Sequence, residues 1–394
     1  MDDTKLRAWW AHRQGLDGSL SGAEPAAVLE RSGWSRSVGG VGPYLTLFAR
    51  AGTSREAADQ AVSALEIHEL PAARGCTYVL PARDFALGLT VGQPFGEREM
   101  QTAERLGVTE REVDTLCTAV MKVLAAGPLD PDGIRAATGK ASRSLGEEGK
   151  KKGLTTTLPL ALGRLQGRGD IRRVPVEGRL DQQRYAYARW SPNPIGRAGS
   201  QFDQAFTELA RRFFGWVGPA TFGEFRWFSG LGAAASKEAL APLGLVPVEA
   251  GSDRMLLPEH VAEFRAFKVP AKPRYVLVSS LDSISATRRD VRSLVDGRDL
   301  ARTVTFDKKI GTVGGVVDLP DHAIFDRGRL VGLWEYDPQT ESIAWASFVV
   351  KDKALVAAVK DTEAFVRDQL GDARSFSLDS PKSRTPKIAA LRKM

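Results

Sequence analysis

Residues 155–189 constrain the fold of this chain more than any other stretch. Thr155–Arg168 (TTTLPLALGRLQGR) reads as an amphipathic helix. Two strand-like runs follow, Ile171–Val176 and Gln183–Arg189, split at Glu177-Gly178. A helix followed by a hairpin is the order of a winged helix. Its charge is lopsided: Arg135–Arg173 holds ten Lys/Arg (Arg135, Lys140, Arg143, Lys150, Lys151, Lys152, Arg164, Arg168, Arg172, Arg173) against Glu147, Glu148 and Asp170. The segment is therefore +7, the formal charge of the whole chain, so the remainder is near neutral. A localised basic surface on a helix-plus-hairpin unit is the footprint of a nucleic-acid binder.

At 394 residues the chain exceeds one core, and several units are expected. No apolar run approaches the ~18 residues of a membrane helix, and MDDTKLRAWW has no apolar segment of a secretory leader. Two cysteines, Cys76 and Cys117, argue against a disulfide scaffold and fit a reducing cytoplasm. The histidines (His12, His68, His260, His322) are scattered. His68-Glu69 opens like a zinc-protease helix, but Ala72 stands where the second histidine belongs, so no zinc site is expected from the spacing.

The period and turn signals predict an α+β fold of tandem winged-helix units (helix-turn-helix plus β-hairpin) followed by a small C-terminal β-barrel. The expected divisions are 1–95, 96–195 (the basic unit), 196–270, 271–372 (strands and a closing helix) and a solvated basic tail, 373–394. In the first unit, helices at 6–13, 25–31, 43–50 and 54–65 precede strands at 66–70 and 76–81. Helices at 96–106 and 110–124 lead into the basic unit. A helix at 201–216 carries Phe202, Phe206, Leu209, Phe213 and Phe214 on one side. Gly127-Pro128 and Gly218-Pro219 each precede helices and a hairpin, a weak internal repeat. Strands are predicted near 275–279, 303–306, 312–319, 323–325, 330–336 and 343–350, then a helix over 354–370.

Several groups could carry chemistry. The candidate nucleic-acid contacts are Lys140, Arg143, Lys150, Lys151, Lys152, Arg164, Arg168, Arg172 and Arg173, placed to neutralise phosphates. In Glu66-Ile67-His68-Glu69, a carboxylate beside a histidine can position or deprotonate water. In an alternating strand Glu66 and His68 share one face and Glu69 takes the other. The Val38–Pro43 glycine turn lacks the context of a nucleotide site and reads as a loop. Trp9, Trp10, Trp34, Trp216, Phe225, Trp227 and Phe228 read as core, with base stacking the alternative. Asp282, Arg288, Arg289 and Asp290 read as an internal salt-bridge network, with phosphate binding the alternative.

Four runs together resemble a known family: Gly127-Pro128-Leu129; Gly218–Thr221 with Trp227–Leu231; Arg74-Gly75 with Val79–Phe85; and Asp326–Trp334. The chain is similar over nearly its whole length to winged-helix DNA-binding proteins of the AlkZ/YcaQ type. The resemblance implies tandem winged helices and a small barrel around a concave basic surface. It also implies a monofunctional DNA glycosylase that removes alkylated bases, interstrand crosslinks included, without metal or cofactor. That family's catalytic motif is Gln-apolar-Gln or Gln-apolar-Asp; the matching stretch here, Gly33–Gly40, has neither, and its nearest frame is Ser37-Val38-Gly39. Glu66, His68 and Glu69 are then the candidates for the missing catalytic groups. The expected function is binding of double-stranded DNA by a cytoplasmic monomer of this superfamily, with excision of alkylated bases. The alternative is a non-catalytic DNA-binding, damage-recognition or regulatory protein, and a third is a winged-helix interaction module without nucleic acid.

Overall fold

Short-range signals set the helices. Ser54 caps Arg55–Ser63 by accepting the Ala57 amide, and Thr109 caps Glu110–Val123 by accepting that of Glu112. Thr221 and Glu224 close a reciprocal capping box on Phe222–Ser229. A computed structural model describes residues 2–181, 184–196, 202–306, 309–373 and 380–394. The predicted element ends at Gln183 and Gln201, and the side chain of Phe202, lie outside the described residues.

The expected helix and strand order of the first 270 residues recurs with shifts at the ends. The helices Asp3–Arg13, Pro25–Ser32, Gly42–Ala51 and Arg55–Ser63 precede a first hairpin, Ile67–Pro71 with Thr77–Pro81. A 20-residue helix, Phe85–Glu104, then runs through residue 95 with Pro94 inside it. Pro131–Thr138, Gly146–Lys151 and Leu158–Gly167 lead to a second hairpin, Ile171–Pro175 with Tyr185–Arg189. Phe202–Val217, Phe222–Ser229 and Ala233–Leu240 lead to a third, Val246–Pro247 with Arg254–Leu256.

One pairing rule appears three times. A short upstream segment lies against the second strand of each hairpin: Ser35–Arg36 on Val79 and Tyr78, Leu129 on Tyr187, and Ala220–Thr221 on Met255 and Arg254. The last two follow Gly127-Pro128 and Gly218-Pro219, which gives the repeat read in the sequence a shared backbone pairing.

The C-terminal strands form an open antiparallel sheet in the order Ser342–Ser347, Arg329–Asp337, His322–Asp326, Tyr275–Val278. Thr303–Phe306 and Lys309–Thr312 make a separate ribbon, and among the described residues there is no closed barrel. The reason lies in Arg329–Asp337, which is buried on both faces. Leu330 and Leu333 join a core with Trp9 and Trp10, whereas Val331, Trp334 and Tyr336 join one with Tyr44 and Leu45. A sheet already covered on both sides gains nothing by closing on itself. Only Thr312 of the expected strand 312–319 is extended in a strand, because Val313-Gly314-Gly315 turns there.

The last residues are not a solvated tail where they are described. Pro381–Leu391 is a helix whose Arg384, Ile388 and Leu391 are buried against the C-terminal sheet. Two basic residues of the segment find acids, Lys387 at 3.5 Å from Asp321 and Arg392, just past the helix, at 2.6 Å from Asp337. Residues 374–379 of that segment are outside the described set. No described helix is long and apolar enough to cross a membrane.

The segment from Met100 to Tyr187 has an apolar core of its own. The other cores mix distant stretches. Leu70, Tyr78 and Leu80 of the first hairpin pack with Phe206, Phe213 and Phe228. Leu29, Leu45 and Val79 pack with Ile324, Leu355 and Phe365.

Candidate functional site

The first hairpin and the Ser35–Arg36 strand form a three-stranded sheet whose register sorts the candidates. Ser35, Val79 and Glu69 are opposite one another, as are Arg36, Tyr78 and Leu70. Opposed residues share a face and neighbours alternate, so Glu69 and His68 point to opposite sides. Ser37 continues the first row by donating its amide to the Thr77 carbonyl at 3.0 Å. Its hydroxyl donates to Glu69 Oε1 at 2.5 Å, and both residues are buried. Arg173 of the second hairpin approaches Glu69 Oε2 at 3.8 Å, and that oxygen has no well-formed hydrogen bond. The Tyr185 hydroxyl beside it is held well above the ordinary tyrosine pKa by burial and then by the Glu69 charge. Arg173 itself lies 5.1 Å from the Tyr185 ring centroid.

The arrangement is a carboxylate oriented by a hydroxyl, charge-compensated by one arginine, and roofed by the second hairpin. Such a group can accept a proton from water or stabilise a developing positive charge. The roof is anchored. Leu180 sits in the core beside Tyr44, whose hydroxyl accepts the Leu180 amide at 2.8 Å. Arg179 bridges Asp181 at 2.5 Å and Asp372 at 2.7 Å.

The other two sequence candidates do not join Glu69. Glu66 is exposed and lies outside the strand, which begins at Ile67. His68 is 1% exposed, edge-on to Phe85 and Trp190, and neither ring nitrogen has a hydrogen-bond partner. Burial, followed by the charges of Arg172 and Arg173, lowers its pKa to about 3. A neutral imidazole with no polar partner is packed as an apolar ring, not placed as a proton relay. The residue that sequence reasoning missed is Ser37. The Ser37-Val38-Gly39 frame marked its position, and only the folded sheet brings it to Glu69.

The nine basic candidates divide. Lys140, Lys150, Lys151 and Lys152 are exposed. Lys150 and Lys151 meet Glu147 at 3.9 Å and Glu148 at 3.0 Å in solvent, pairs too weak to withhold them from a phosphate. The arginines are mostly spoken for. Arg143 pairs with Glu112 at 2.6 Å. Arg164 pairs with Glu110 at 2.6 Å and Asp114 at 2.9 Å, and Arg168 lies 4.0 Å from Asp114. These three acids precede the stretch in which the positive charge was counted, and the fold carries them onto it. Arg173 points at Glu69, and half-buried Arg172 lies near His68.

The remaining features mostly resolve as structure. Asp282 forms a fully buried ion pair with Arg50 at 2.7 Å, extended by Thr46, Gln14 and Ser283. Arg288 is buried, donates to the Val217 carbonyl and lies 3.6 Å from the Trp10 ring centroid. Trp9, Trp10, Trp34, Trp216, Phe225 and Phe228 are core, and Trp227 alone of that set is only half-buried. The glycine-rich turn leads into Gly42–Ala51 as a plain connection. Among the described residues no three His, Cys, Asp or Glu side chains gather into a metal-binding group.

Comparison with known proteins bears on this geometry. The family described as DNA glycosylase AlkZ-like matches residues 41–376, a span that begins just beyond the Ser37–Gly39 turn. Among solved structures, the Streptomyces sahachiroi DNA glycosylase AlkZ is similar with a TM-score of 0.69 at 19% identity. The match covers 93% of this chain and 96% of that one, and at such identity it is a likeness of fold. No curated protein matches the chain by sequence.

Proposed function

Because the chain belongs to the AlkZ-like DNA glycosylase family, we propose that it releases alkylated bases from duplex DNA, acting as a monomer, with Glu69 as the group that aims water. The observation that carries this reading is the 2.5 Å hydrogen bond from Ser37 to Glu69. It sets a carboxylate beside the turn where the family's motif would supply glutamine or aspartate.

The chemistry asks little of the protein. Alkylation at a ring nitrogen leaves the purine positively charged, so it departs readily and the sugar becomes oxocarbenium-like. A nearby carboxylate stabilises that charge and orients the attacking water, with no metal in the step. Glu69 is 4% exposed under Arg173 and Tyr185. The reading therefore requires the second hairpin to shift when DNA binds, which would open the Oε2 side.

The three recurrent strand pairings support reading the chain as three winged-helix units. In that reading the exposed lysines of residues 140–152 approach the phosphates of one strand. The test is incubation with duplex carrying N7-methylguanine. Abasic product above a no-enzyme control, slowed about 10²-fold or more by Glu69→Gln, supports the proposal; no product from the wild-type protein overturns it. The roofed carboxylate and the absence of glutamine in Ser37-Val38-Gly39 favour one alternative, a non-catalytic damage-recognition protein. It predicts duplex binding without base release.

A further inference from the structure

We propose that Arg36, Arg74 and Arg289, arranged about Tyr78 and Trp227, form a second DNA-backbone contact, separate from the basic unit at 135–173. This inference rests on the reading that the protein binds duplex DNA. The three arginines come from distant stretches and converge on two rings. Arg36 lies 5.3 Å from the Tyr78 ring centroid, Arg74 lies 3.8 Å from that of Trp227, and Arg289 lies 4.8 Å from the same indole.

Their charges are poorly compensated. Neither Arg36 nor Arg74 has a carboxylate within ion-pairing distance among the described residues. Arg36 donates one long bond of 3.4 Å to the Thr77 carbonyl. Arg74 donates to the Cys76 sulfur at 3.6 Å. Burial, together with the like charge of Arg74, holds the Arg36 pKa below its ordinary value. Arg289 pairs with Asp318 at 2.9 Å, with side chains 35% and 48% exposed, a contact that an anion can replace. Most guanidinium donors of this row are left for a ligand, and planar forks of N–H groups match phosphate oxygens.

The row is also preset. Arg74 and Arg289 both adopt left-handed backbone conformations, φ 59° and 53°, which non-glycine residues rarely take. Strained positions of this kind gather at ligand clamps. The Arg74 stem is seated tightly: a Cβ at Gly230 would meet Phe95 Cζ at 2.7 Å and Arg74 Cγ at 3.0 Å. Arg36 immediately precedes Ser37 and lies on the opposite face of the same sheet from Glu69. A strand held by this row would therefore lie on the far side of that sheet from Glu69. Half-buried Trp227 lends its face to the cations, which stacking holds in place without neutralising them.

The test is the affinity of the full chain for a short undamaged duplex, measured by fluorescence anisotropy over a range of salt. Arg36→Gln, Arg74→Gln and Arg289→Gln are each expected to weaken binding about 3- to 10-fold and lower the salt slope by about one. Arg74→Lys should keep the slope while losing part of the affinity, because it retains charge without the planar stack. Thermal melting checks folding; if Arg74→Gln is unfolded, the other two variants carry the test. Wild-type binding with three folded variants unchanged in affinity and slope overturns the contact and leaves the proposed function standing. Absence of wild-type duplex binding overturns both.

Discussion

Ser37 and Glu69, 32 residues apart in the chain, share a 2.5 Å hydrogen bond on one face of the first hairpin's sheet. Glu69→Gln keeps the shape and removes the charge. If Glu69 aims water, base release should fall about 10²- to 10⁴-fold, while duplex affinity is retained. Ser37→Ala should cause a smaller loss, because it frees the carboxylate without removing it. Glu66→Gln should leave the rate unchanged, since Glu66 is exposed outside the strand. Quantifying abasic sites in a single-turnover assay checks all three.

His68 makes stability depend on pH. Its folded pKa, about 3, lies below the unfolded value near 6.5, so the unfolded chain binds the extra proton. Stability is whole above pH 6.5 and is lost as pH falls toward 3, by about 2 kcal/mol at pH 5. Asp321, raised to about 6 chiefly by burial, acts in the opposite sense, losing its contribution as pH rises from about 4 to 6. Denaturant unfolding of wild type and His68→Leu at several pH values separates the two. The variant should lack the His68 slope, and parallel curves would refute the assignment.

The basic candidates should sort by pairing. Lys140→Gln and Lys152→Gln are each expected to lower the salt slope of duplex binding by about one. Arg164→Gln should act mainly on folding of the basic unit, because Arg164 holds Glu110 and Asp114. Anisotropy titrations and melting curves on the same variants distinguish these effects.

The Arg50–Asp282 pair has both side chains fully buried, so removing one partner strands a charge. Arg50→Met or Asp282→Asn should destabilise by about 3–5 kcal/mol, and Arg50→Met with Asp282→Asn by less than the sum. Urea midpoints of the four proteins give this coupling directly.

Deleting residues 380–394 should destabilise the chain, whereas a solvated tail would be lost without cost. Ile388 and Leu391 leave the core, together about 3–6 kcal/mol of apolar burial. The melting temperature of the truncated chain is the measurement, and an unchanged value would refute the packing.

Much of the fold was legible because its signals are short in range. Caps such as Ser54 and Thr221, the hairpin turns and the apolar periods each act within a few residues. The alternation of a strand likewise put His68 and Glu69 on opposite sides. What the order of residues left open is which groups meet across distance. Arg50 finds Asp282 over 232 residues, and Glu110, Glu112 and Asp114 travel onto the segment whose charge looked unopposed. Arg173 turns from solvent to Glu69, and the C-terminal residues bury Ile388 and Leu391. Propensity and capping are local free energies, written in neighbouring side chains. Ion pairing, burial and the company of a candidate catalytic carboxylate depend on three-dimensional packing, which is settled when separate stretches share a core.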